Sequence, residues 1–288
     1  MRRCSAVHQA AHSVRAYVTF AMILCAMALA PAFGIPAFIK SLIIEILTFS
    51  ILAMSLNILV GYTGLVSFGH AAFFAVAGYA LALFATKVTP ELLISFPIAV
   101  AAAALVALPI GWLCIRLSGF YFLMITFAFA QMVYTAAFQW KSFTGGSDGL
   151  LAPAPTLIGK TILQDPTSYY FFTLILFGLS VAGMYAIIFS QFGRTLQGIR
   201  ENTMRMRALG YNVRLYKLSA FIIAASFAGL GGAANVLFNF VHCTGICPLD
   251  AICAHACHGS HRWKWFLHWA DCWNSSCDPS PALVEFPY

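Results

Sequence analysis

Polar side chains interrupt one of the most apolar stretches of this chain. Asn57, Tyr62, Thr63, Ser67 and His70 lie within Asn57–Ala82, NILVGYTGLVSFGHAAFFAVAGYALA, where Gly61-Tyr62-Thr63-Gly64 forms a break. An amide, hydroxyls and an imidazole at one helix end are groups that hydrogen-bond a polar solute, and packing alone does not require them. The alternative is a purely structural break. A membrane helix tolerates glycines and polar residues only where other helices or a cavity cover its backbone. Ala71, Ala75, Gly78 and Ala82 recur at spacings of four, three and four, which predicts a smooth face for close helix approach, with Gly61 and Gly64 easing the same packing. No catalytic constellation accompanies these groups, so the chain is not expected to be an enzyme. It lacks a glycine-rich loop with Lys and Ser/Thr that would cradle a nucleotide, and Gly145, Gly146 and Gly149 read as turns capped by Asp148.

The elements that position these groups are membrane helices. Hydrophobic residues make up 61% of the 288 and charged residues 9%, against about 25% charged in soluble domains. Windows of about 20 apolar residues predict an all-α, polytopic transmembrane bundle of about seven spans: Ala16–Phe33, Ile39–Val60, Leu65–Phe84, Leu92–Ile115, Phe120–Phe138, Tyr169–Phe189 and Leu218–Val241. Ala16–Phe33 reads as a first span because it lacks a convincing signal-cleavage site. Asn57–Val60, Leu65–Phe84 and Leu218–Ala234 are expected at the core, the last through Ala225, Gly229 and Ala233 at four-residue spacing. With the N-terminus cytoplasmic, ten basic residues fall inside and Lys40, Lys87, Lys141 and Lys160 outside, the bias expected of an inner-membrane protein. The formal charge of +7 gathers at helix ends rather than along one face, which argues against a nucleic-acid partner.

Between the last two spans lies QFGRTLQGIRENTMRMRALGYNVRLYKL. The pattern predicts a helix over Arg194–Leu209, with Leu196, Ile199, Met206 and Leu209 apolar among charges and Gly210 ending it. A tether on anionic headgroups would account for the arginines. Glu201 among them and the Ala208-Leu209-Gly210 stop favour a helix on which a cytoplasmic subunit docks.

Three motifs in order, SLNILVGYTGLVSFGHAAFF (55–74), TGGSDGL (144–150) and FGRTLQGIREN…RALGYNVRLYKLSAFIIAASFAGLGGA (192–233), resemble the permease subunits of bacterial ABC importers for branched-chain amino acids, the LivM type in particular. The resemblance covers about residues 40–241. It implies a LivH-type second permease, two cytoplasmic ABC ATPases that bind the ATP, and a periplasmic substrate-binding protein, with no cofactor in this chain. It also implies that the segment matching Gly193–Gly210, including Arg194, Arg200, Glu201, Ala208, Leu209 and Gly210, is the ATPase-coupling loop within residues 190–217. Asn202-Thr203-Met204 departs from the acidic residue and proline frequent in the family. Close relatives carry urea or short amides, so that alternative stays open. An amino-acid zwitterion needs partners for its ammonium and carboxylate. Asn57, Tyr62, Thr63, Ser67, His70, Thr126 and Gln131 are available, and Glu45 is either a pathway residue or a snorkelling acid.

Residues 242–288 break the pattern, with six of the nine cysteines, five of the eight histidines and four of the six tryptophans. Cys243-x3-Cys247 and Cys253-x3-Cys257 with His255, His258 and His261 are a poor zinc-finger match, and no metal site is assigned. Read one base later, every Trp codon becomes a glycine codon, and 258–273 can encode MVVIGGSGSFIGPIVG. We therefore expect residues 1–241 to be the permease domain and 242–288 to follow a single-base frameshift near 241–246. The gene sequence decides it: codons that cannot yield that stretch sink the idea. The competing reading is a truncated permease or membrane anchor whose tail binds metal or forms disulfides.

Overall fold

The computed structural model describes residues 36–88, 91–117, 119–140 and 166–242. The expected first span, the glycine-rich loop at 144–150 and the tail beyond His242 lie outside them. Eight α-helices follow among the described residues: α1 Ala37–Asn57, continued by a π-helical turn Ile58–Thr63, then α2 His70–Lys87, α3 Leu92–Cys114, α4 Phe120–Gln139, α5 Pro166–Phe189, α6 Gln191–Glu201, α7 Thr203–Ala208 and α8 Val213–His242. Among the described residues six segments are long and apolar enough to cross a membrane: Phe38–Thr63, His70–Lys87, Leu92–Cys114, Phe120–Gln139, Thr167–Phe189 and Val213–Phe238. The all-α bundle expected from the sequence is the observed architecture.

Small residues decide which helix is central. On α8, Ala220, Ala224, Ala225, Ala228, Ala233 and Ala234 are fully buried, and the helix packs on α1, α2 and α3. A Cβ added to Gly229 would stand 2.7 Å from Ala103 Cβ and 3.2 Å from Ala77 Cβ. On Gly232 it would run into the Phe74 backbone, and on Gly78 it would lie 2.5 Å from Val236 Cγ2. Without a hydrophobic force between helices in lipid, close backbone approach supplies the dispersion contacts that hold such a bundle. Ala75 and Ala82 of α2 are buried while Ala71 is half-buried. On α3 the inward stripe is Ser95, Ala99, Ala103, Ala107 and Gly111, one residue every turn. α5 covers α1 from the other side, and α4 leans on α2 with Phe122 and Thr126 buried.

Two expected boundaries are corrected. The span expected over Leu65–Phe84 begins at His70 rather than Leu65, because α1 runs on through the π-helical turn to Thr63 and Gly64 ends it in the left-handed region at φ 70°. The arginine-rich helix over 194–209 is two helices. Asn202, at φ −153° and ψ 99°, breaks it, and its side-chain oxygen accepts the Arg205 N–H at 3.0 Å to cap α7. A short polar side chain that bonds its own backbone competes with helix continuation.

Candidate functional site

The break at the end of α1 is built around one carbonyl. Leu59 O accepts the N–H of Gly64, the N–H of Leu65 at 3.1 Å and the Thr63 hydroxyl at 2.6 Å. The half-buried Asn57 amide lies over Gly61, where a Cβ would come within 2.5 Å of its oxygen. Beyond Gly64 the chain leaves regular structure, and exposure alternates. Leu65, Ser67 and Gly69 face inward, whereas Gly64, Val66 and Phe68 face out. The chain then enters α2 at Gly69, whose missing side chain lets the Thr126 carbonyl approach to 2.6 Å from where a Cβ would stand. Phe73 meets Phe221 edge to face at 5.4 Å. Phe221 and Ala224 lie eight and eleven residues into α8, about 12–16 Å from its start at a rise of about 1.5 Å per residue. Irregular backbone at such depth is tolerated only inside protein or against a cavity.

One end of this break is joined to the arginine-rich segment. Ser190 starts α6 by accepting the Gly193 N–H at 3.4 Å, and Gly193 sits against the Ile187 and Ile188 carbonyls, where no Cβ fits. The inner face of α6 is Gly193, Leu196 and Ile199. Leu196 packs with Tyr62 and Ala220, flanked by Phe192 and Tyr216, whose rings stack at 5.8 Å. Arg200 Nη1 donates to the Gly61 carbonyl, and its stem lies over Gly64. A cation at a helix C-terminus complements the dipole of its unsatisfied carbonyls. The outer face carries Arg194 and Glu201. A Cβ on Gly198 would stand 3.1 Å from Met206 Sδ, while Ala208 and Leu209 are exposed and Gly210 turns the chain at φ 87°. The apolar stripe expected as one docking surface is therefore divided. Leu196 and Ile199 are spent on the chain's own core, because the break at Asn202 turns α7 outward with none of its residues buried.

The other end of the break holds Ser67 and His70, 4% and 1% exposed. Ser67 Oγ, His70 Nδ1 and His70 Nε2 have no hydrogen-bond partner. The Ala224 backbone faces the imidazole, which also meets the Phe73 ring edge to face at 5.8 Å. The polar groups grouped by sequence thus separate: Tyr62 serves the α6 junction, Thr63 closes the turn on Leu59, and Ser67 and His70 lie at the start of α2. Thr126 lies beside the second set with its hydroxyl donating to Leu123 O at 2.9 Å. Gln131 is exposed, and the half-buried Glu45 is twelve residues before Asn57 on α1, about 18 Å of helix rise. Neither joins the site. Among the described residues no group of three or more His, Cys, Asp and Glu could hold a metal.

Sequence reasoning did not find the Arg200–Gly61 bond or the α3 stripe. The stripe's four-residue period was visible but submerged in a helix apolar on all sides.

Residues 38–244 match the family described as branched-chain amino acid transport system / permease component. The high-affinity branched-chain amino acid transport system permease protein LivM of Escherichia coli (strain K12) is 30% identical over 205 residues, which is 63% of this chain and 48% of that protein. Its counterpart of the same name in Salmonella typhimurium (strain LT2) is 28% identical over 205 residues with the same coverage. The chain spans about half the length of these curated relatives. No solved structure matches it.

Proposed function

Since this chain belongs to the family of branched-chain amino acid transport permease components and is a multi-pass membrane protein, we propose that it is a translocating subunit of a bacterial ABC importer for leucine, isoleucine and valine. In this reading it lies in the inner membrane with its N-terminus cytoplasmic and pairs with a LivH-type permease. Two cytoplasmic ATPases bind and hydrolyse the ATP, a periplasmic protein delivers the substrate, and this chain carries no cofactor.

The observation that carries the reading is the bond from Arg200 on α6 to the Gly61 carbonyl in the break of α1. A force applied to α6 reaches the membrane interior through this contact and the packing of Leu196 on Tyr62. α6 is then the seat of the coupling element, and its outer face with Arg194 and Glu201, followed by Ala208–Gly210, is what an ATPase meets. The family match ends at residue 244, inside the window assigned to the frameshift, which favours treating the tail as out of frame.

Co-purification with the ATPases, from a gene whose frame is restored beyond residue 241, tests the assignment. Glu201→Lys reverses a charge on the outer face, and Gly198→Pro breaks α6 at a cost of about 3 kcal/mol. Both variants should insert in the membrane normally and lose the ATPases. Retention of the ATPases by both would reduce this segment to a topological anchor.

A further inference from the structure

We propose that the start of α2, with the Ser67 hydroxyl and the His70 imidazole, is a subsite for the carboxylate of an amino acid. The inference rests on the transport reading above and deepens it, because it assigns one half of the zwitterion to named atoms.

Three features converge at this place. First, α2 is an 18-residue helix that begins inside the bundle, and its N-cap, Gly69, has no side chain with which to satisfy the N–H groups of the first turn. Unsatisfied N–H groups and the positive end of the helix dipole favour an anion. Second, Ser67 and His70 flank that cap, are more than nine-tenths buried, and leave three polar atoms without partners. A buried polar atom left unpaired is costly, so three within four residues call for a ligand or water. Third, the donors at this place outnumber what its own chain uses. Ala72 N–H donates to Gly69 O, while the Ser67 hydroxyl, one imidazole nitrogen and the other first-turn N–H groups can turn to a carboxylate. The hydroxyl and the second imidazole nitrogen also accept, so an ammonium is the competing occupant that the test must separate. Half-helices whose N-termini point at a substrate carboxylate near the membrane midplane are a recurrent solution in transporters.

The neighbouring crevice between Gly69, Ala72, Thr126 and Phe221 is shut in this structure. Entry therefore requires the bundle to open there, beside the segment Leu65–Phe68 that leads into α2. That segment runs directly from the residues held by α6 to the anion-binding end, so opening and coupling act on the same six residues, Gly64–Gly69.

The test uses the full chain in lipid nanodiscs with 15N-labelled histidine. The His70 signals are assigned by their loss in His70→Gln. L-leucine and 4-methylpentanoate, which keeps the carboxylate and lacks the ammonium, should each shift the imidazole resonances saturably. 3-Methylbutylamine, which keeps only the ammonium, should not. Ser67→Ala should raise the concentration needed roughly tenfold, the loss expected for one hydrogen bond to a charged group, and Ser67→Thr should restore it. Equal responses to amine and carboxylates, or silence toward all three, would overturn the subsite and leave the groups bonded to water only. Silent His70 resonances with intact ATPase binding would refute this inference alone, whereas loss of ATPase binding by the parent chain would refute the transport reading.

Discussion

Arg200 is one of many arginines between Phe192 and Lys217, and nothing in its letter distinguishes it. Its partner is a backbone carbonyl 139 residues away, and backbone groups leave no mark in a sequence. Ser67 and His70 were legible for the opposite reason, since polar side chains in an apolar run are conspicuous. Their separation from Tyr62 and Thr63 was not, because Leu65–Phe68 reads as membrane helix and its inward-outward alternation is too short to register as a departure from it. A guanidinium donating to a carbonyl is a charge-assisted bond, and at a partly exposed position its loss costs about 1.5 kcal/mol. Arg200→Ala should therefore leave ATPase binding intact while lowering the leucine transported per ATP hydrolysed. Arg200→Lys should recover part of it, because an ammonium can still donate to Gly61 O. Unchanged transport stoichiometry in Arg200→Ala would show that the bond carries no coupling.

At the scale of elements, α8 was legible as core from its four-residue spacing of Ala225, Gly229 and Ala233, and all three are buried, Gly229 against Ala103 of α3 and Ala77 of α2. The break in the arginine-rich helix was hidden because Asn202 is compatible with a helix until its side chain caps Arg205. Gly229 is where α8 meets α3 and α2 at close range. Even one Cβ would stand 2.7 Å from Ala103 and 3.2 Å from Ala77, and overpacking of this kind costs about 1–3 kcal/mol. Gly229→Leu, with three further carbons, should lower the thermal midpoint of the detergent-solubilised chain and abolish pairing with the second permease. Gly183→Ala, whose Cβ would meet only the Phe227 ring at 3.3 Å, should do neither. A Gly229→Leu protein that melts and pairs normally would contradict the packing argument.

Across the whole molecule, one discontinuity links the two faces of the function. The π-helical turn ending α1 is held by Arg200 of α6, and six residues later the same strand of chain delivers the uncapped start of α2. The central claim is that α6 and this break move as one body against α3. Pulsed electron resonance on spin labels at three exposed positions, Gln197 of α6, Phe68 of the break and Leu105 of α3, measures it directly in the complex with its ATPases. On addition of non-hydrolysable ATP, the Gln197–Phe68 distance should stay constant while the Phe68–Leu105 distance changes. A changing Gln197–Phe68 distance with Phe68–Leu105 fixed would contradict it.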